Sequence, residues 1–160
     1  MNTISKGNKF YKINVFILIT ILFPLISSAQ DFSDLYERLN PSVVTILTTQ
    51  TVFNNGNVSK GSGLGSGVII DEKGFVMTAA HVVGSAETIQ VKMYDDQIIE
   101  ADVISSVAPA DVALLKLKKM PENISVAKLG NSKLVKTGDQ ALVIGAPFGI
   151  EHSLSIGHIS

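Results

Sequence analysis

Two side chains in this sequence combine residue type and setting suited to proton-transfer chemistry. His81 lies in "GFVMTAAHVVG" (74–84), directly after Thr78-Ala79-Ala80, and Asp111 opens "DVALLKL" (111–117). A general-base imidazole needs one ring nitrogen free as acceptor. A buried carboxylate secures this by accepting the proton of the other nitrogen and stabilising the imidazolium that forms later. Asp111 heads an apolar strand, where a charge is costly unless paired. Asp71, Asp95, Asp96 and Asp102 are weaker rivals, each in a polar turn or on an alternating solvent face. Two plainer readings stay open here. His81 fits a half-buried ring hydrogen-bonded to backbone at a strand end, and Asp111 fits an exposed turn residue. A metal site is disfavoured, because no second His, Cys or carboxylate lies at ligand spacing from His81 and the other histidines, His152 and His158, are far along the chain.

The elements that must position this pair read as strands. "SVVTILTTQTV" (42–52) is rich in β-branched residues, and "SGVII", "DEKG" and "FVMTAA" together predict a hairpin turning at 71–74. "TIQVKMY" (88–94) alternates, with Ile89, Val91 and Met93 on one face, and "DDQ" (95–97) is a turn. "IIEADVISSV" (98–107), "DVALLKL" and "QALVIGA" (140–146) are further strands. "NNGNVSKGSGLG" (54–65) reads as a polar, glycine-rich loop. "AAHVVG" is a single helical turn capped by Gly84. In "DFSDLYERLNPSVV" Phe32, Leu35, Tyr36 and Leu39 share a helical face that Pro41 ends. Short strands at regular spacing indicate an all-β barrel or sandwich, and the lack of a strand–helix–strand rhythm disfavours a doubly wound α/β fold.

Composition narrows the partners. The 160 residues carry a net charge of −1 with no basic stripe, so nucleic acid is not an expected partner. Cysteine is absent, which removes disulfides and thiolate metal sites. The start of the chain has Lys6, Lys9 and Lys12, then the apolar run 13–26, then "SSAQ". That order predicts a secretory signal cleaved after Ala29, with an uncleaved membrane anchor as the alternative. The run is shorter than the ~20 residues that span a bilayer.

"GSGVIIDEKGFVMTAAHVV", "DVALLKL" and "IGAPFG", in this order, resemble the HtrA/DegP family of secreted trypsin-like serine proteases. The resemblance runs from Pro41 to Ser160. It implies the first antiparallel six-stranded barrel of a double-barrel fold, with a cleft between the barrels. It makes His81 the general base and Asp111 the acid that orients it, with Thr78-Ala79-Ala80 shaping the turn. No metal or organic cofactor is implied. The expected substrates are unfolded or damaged exported polypeptides in a periplasmic or extracellular compartment. The resemblance also implies a homotrimer built through the amino-terminal segment; Phe32, Leu35 and Tyr36 suit that role, and a plain helix packing on the barrel explains them equally well. The expected organisation is a signal peptide over 1–29, a helical segment over 30–40, the first barrel over 41–150 and the start of a connection over 151–160.

The match has limits. The family's nucleophile sits in Gly-Asn-Ser-Gly-Gly after the His and the Asp, and these residues contain no such motif. Gly130-Asn131-Ser132 is followed by Lys133 and Leu134, and precedes "IGAPFG". "GSGLGSG" (61–67) lacks the Gly-Lys-Ser/Thr ending of a phosphate loop. His152 and His158 are expected as surface or linker residues. The chain therefore reads as a protease cut before its second barrel, inactive alone and prone to expose an apolar face. A catalytically silent barrel that binds a peptide or partner is the competing reading, and it leaves the His and Asp pair without a purpose.

Overall fold

The computed structural model describes residues 32–54, 57–146 and 153–160. The expected signal segment and His152 lie outside the described residues. Among the described residues, no helix is long and apolar enough to cross a membrane.

The described residues open on α1 (Ser33–Leu39), which passes into a 3₁₀ turn over Asn40–Ser42 that contains Pro41. Phe32, Leu35, Tyr36 and Leu39 are its half-buried positions, as the spacing predicts. Strands β1 (Val43–Asn54), β2 (Asn57–Asp71) and β3 (Phe75–Thr78) lead to a one-turn helix, α2 (Ala80–Val83). Then come β4 (Thr88–Lys92), β5 (Ile98–Val107) and β6 (Val112–Leu117). These six strands close into a barrel in the order β1-β2-β3-β6-β5-β4, with every pairing antiparallel and β4 returning to β1. The barrel is filled by alternate residues of each strand. Ile46, Ile69, Val76, Val91 and Leu115 are fully buried, and Ile89 and Met93 join them as their alternation requires. Closure removes every sheet edge from the barrel.

The expected turn at 71–74 is present. Gly74 donates its amide to the Asp71 carbonyl and adopts φ +83°, a conformation open to glycine.

Of the segment read as a glycine-rich loop, residues 57–65 are instead the first half of β2. It pairs residue by residue with β1, from Asn57 opposite Asn54 to Val68 opposite Val43. The glycines are there because neighbours press on the strand, not because the chain turns. A Cβ on Gly63 would lie 2.5 Å from Thr48 Oγ1, and one on Gly67 would lie 2.8 Å from Val76 Cγ1.

Strand β7 (Gln140–Gly145) also departs from expectation. It pairs not with the barrel but with β8 (Ser153–His158), in a two-stranded antiparallel ladder. The barrel closes through β1 and β4 before β7 arrives, so its strands occupy 43–117 and the expected span to residue 150 includes a second sheet. The ladder carries exposed apolar side chains, among them Val143 and Ile156. His158 stands exposed on β8.

Candidate active site

His81 and Asp111 come from opposite ends of paired strands. β3 runs antiparallel to β6, with Thr78 opposite Ala113 and Val76 opposite Leu115. His81 follows the end of β3 and Asp111 precedes the start of β6. Antiparallel pairing therefore brings residues thirty positions apart to the same rim of the barrel.

Each strand end is shaped for this. After β3, Ala79 stays extended and the chain then coils into α2, with Ala80 buried beneath the turn. Gly84 caps the turn as expected, in right-handed helical geometry (φ −61°, ψ −28°). Before β6, Ala108–Ala110 form a 3₁₀ turn closed by the Asp111 amide on the Ala108 carbonyl. Asp111 then takes a left-handed conformation, φ 49° and ψ 43°. Aspartate tolerates this better than most residues. The twist starts β6 at Val112 and leaves the carboxylate at α2.

His81 Nδ1 lies 2.8 Å from Asp111 Oδ2 and 3.0 Å from Oδ1. The backbone N–H of His81 also donates to Oδ1, at 3.0 Å. One carboxylate thus grips both the ring and the main chain of the histidine. The pair lies at the surface, with the His81 side chain 73% exposed and that of Asp111 52% exposed. Asp111 is both paired and half exposed, because it sits at the barrel rim, in the turn before the strand. The rival acids are engaged elsewhere. Asp71 accepts from the Lys73 amide, Asp95 binds Gln97, Asp96 pairs with Lys92, and Asp102 pairs with Lys118.

The His81 backbone amide, and after it the His81 ring, hold the Asp111 carboxyl below its ordinary pKa of 3.8. A carboxyl lowered in the folded state contributes stability above its unfolded pKa and loses it as pH falls through the folded value. Carbon-detected titration of Asp111 should give a midpoint below 3.8, and His81→Ala should move it upward by removing the ring. A midpoint at or above 3.8 in the unsubstituted chain would show that the contact is not held in solution.

Sequence reading did not find the seat of α2. Val82 rests on Gly65 of β2 so closely that a Cβ there would lie 2.6 Å and 2.7 Å from its two methyl groups. Valine is stiff at χ1 and cannot swing away cheaply. Gly65→Ala should cost about 1–3 kcal/mol by overpacking. Adding Val82→Ala should recover most of that loss in thermal unfolding, whereas simple additivity of the two changes would mean that the contact is not the cause. The available signal was the every-second-residue spacing of Gly61, Gly63, Gly65 and Gly67, which has the period of a strand.

Gly130–Ser132 precedes and enters a 3₁₀ turn at Ser132–Leu134, where Asn131 accepts from the Lys133 amide. The segment 61–67 lies within β2, paired along its length with β1.

Comparison with known proteins shows the family of the chain. The family model described as "Trypsin-like peptidase domain" matches residues 65–160. A probable periplasmic serine endoprotease, DegP-like, of Pseudomonas fulva (strain 12-X) is 34% identical over 167 residues, which cover 81% of this chain and 34% of that protein. The periplasmic serine endoprotease DegP of Salmonella typhimurium (strain LT2) is 38% identical over 108 residues, covering 67% of this chain and 22% of its own. Among solved structures, the HtrA-type protease AlgW with tripeptide superposes with a TM-score of 0.71 at 32% identity, over 81% of this chain and 40% of that one. The same protease with decapeptide gives 0.70 at 28%, over 81% and 45%. The chain spans about a third of the length of the first of these curated relatives (34%). The closed six-stranded barrel corresponds to the first barrel of these neighbours, and the chain belongs to the HtrA/DegP-like family of trypsin-type serine proteases.

Proposed function

We propose that these residues supply the base and the acid of a serine endopeptidase triad, acting on unfolded or damaged polypeptides in the periplasm. The observation that carries this reading is the contact of Asp111 with both the ring and the backbone of His81. The relatives' names, periplasmic serine endoproteases, support the reaction class and the compartment.

The chemistry follows from which nitrogen is held. Asp111 accepts the Nδ1 proton, so Nε2 of the neutral ring carries the lone pair. Nε2 takes the proton of a serine hydroxyl as its oxygen attacks a peptide carbonyl. The imidazolium so formed is stabilised by the adjacent carboxylate, which stays ionised. Collapse of the tetrahedral intermediate breaks the C–N bond, and Nε2 returns the proton to the leaving amine. Water then repeats the cycle on the acyl-enzyme and restores the serine.

These 160 residues contain no Gly-x-Ser-Gly-Gly motif, so the nucleophile is assigned to residues outside them. Two assays test the reading. The 160-residue chain alone should not cleave unfolded casein. The longest polypeptide translated from the same reading frame should cleave it, and His81→Ala should abolish that cleavage. Casein hydrolysis that survives His81→Ala, in either polypeptide, would contradict the assignment.

A further inference from the structure

We infer that Ser66 is a positioning residue that ties the β7–β8 ladder to the turn carrying His81. It bonds to the end of β3 on one side and to the residue after β7 on the other. Its carbonyl accepts a hydrogen bond from Thr78 Oγ1 at 2.7 Å. Its hydroxyl oxygen accepts from the backbone N–H of Ala146 at 2.8 Å, across eighty residues of sequence.

Both links are sheltered. Thr78 is 7% exposed and Ala146 6%. An amide deprived of its acceptor in such a place loses more than one at the surface. The approach of the ladder is close enough to shape its sequence, because a Cβ on Gly145 would lie 3.1 Å from Ser66 Oγ. Thr78 is the last residue of β3, three positions before His81, and Gly65, beside Ser66, is the seat of Val82. Ser66 thus stands between the end of β7 on one side and the base of the His81 turn on the other. That the ladder needs a fixed relation to His81 rests on the triad reading above, which places the nucleophile beyond this segment.

The test is amide hydrogen exchange and ring ¹⁵N spectroscopy on the labelled 160-residue chain. Neither readout depends on hydrolysis, so failure of the triad reading and failure of this inference are distinguishable. In Ser66→Ala the Ala146 amide should exchange about fivefold to tenfold faster, the loss of one hydrogen bond. The His81 ring resonances should shift with it. Ser66→Thr keeps the hydroxyl and should restore both. Thr78→Val does not touch Ala146, yet it should also speed exchange there. The amides of Ile46 and Val76 in the barrel serve as references and should stay at their original rates. If Ser66→Ala does not fold, Ser66→Cys reads the same way, since a thiol is a weak acceptor. Unchanged Ala146 exchange or unmoved His81 resonances in the Ser66 variants would overturn the inference. So would a failure of Ser66→Thr to rescue, an Ala146 amide indifferent to Thr78→Val, or equal acceleration of the barrel amides.

Discussion

Under the triad reading, Asp111→Asn lowers kcat by about 10⁴-fold in a polypeptide that also carries the nucleophile, the magnitude known for loss of the orienting carboxylate in the trypsin template. Asparagine is nearly the same size, and its carbonyl oxygen can still accept the His81 backbone N–H that now binds Oδ1. Its other atom is an amide nitrogen, a donor. Facing Nδ1, it makes that nitrogen the acceptor and moves the ring proton to Nε2. The ring keeps its place and loses its function, because the lone pair that must take the serine proton is gone. Thermal unfolding near neutral pH should change far less than activity. A fall in kcat of less than about tenfold would mean that the carboxylate does not set the tautomer.

The second large effect is on the barrel beneath the pair. Leu115→Ala should destabilise the fold by about 2–5 kcal/mol. Leu115 is fully buried, pairs with Val76 on β3 and with Val103 on β5, and belongs to the main apolar cluster. Removing its branched end leaves a cavity inside the barrel, beneath the two strands whose ends carry His81 and Asp111. Closed-barrel walls cannot collapse into that space without breaking strand pairs. Urea unfolding with an unchanged m value would measure the loss. Leu115→Met, which conserves volume, should cost less than about 1.5 kcal/mol. Equal costs for the two substitutions would show that packing at this position does not hold the strands together.

Residue type and local period made much of this legible. Alternation in "TIQVKMY" identified the buried face of β4, and it holds in the barrel as Ile89, Val91 and Met93. The Asp71–Gly74 turn announced itself through its residues. The same local logic failed where the cause lay elsewhere in the chain. Glycine is a turn signal by propensity, yet Gly63 and Gly65 serve a strand, because Thr48 and Val82 leave no room for a side chain. Strand character was visible in "QALVIGA", but its partner was not; register with β8 depends on a segment that local pattern does not address. The site shows the same division. The types of His81 and Asp111 suggested the pair. That the acid also holds the histidine's backbone amide, and does so from a left-handed residue at a half-exposed rim, depends on the closing of the 3₁₀ turn before β6.

The most direct test is the tautomer of the neutral His81 ring, read from its ¹⁵N and ¹H resonances in the 160-residue chain. A proton on Nδ1, shifted by Asp111→Asn, with a bare Nε2, is the result that agrees with the geometry described above. A ring protonated at Nε2, or one whose signals ignore the Asp111 substitution, would contradict it.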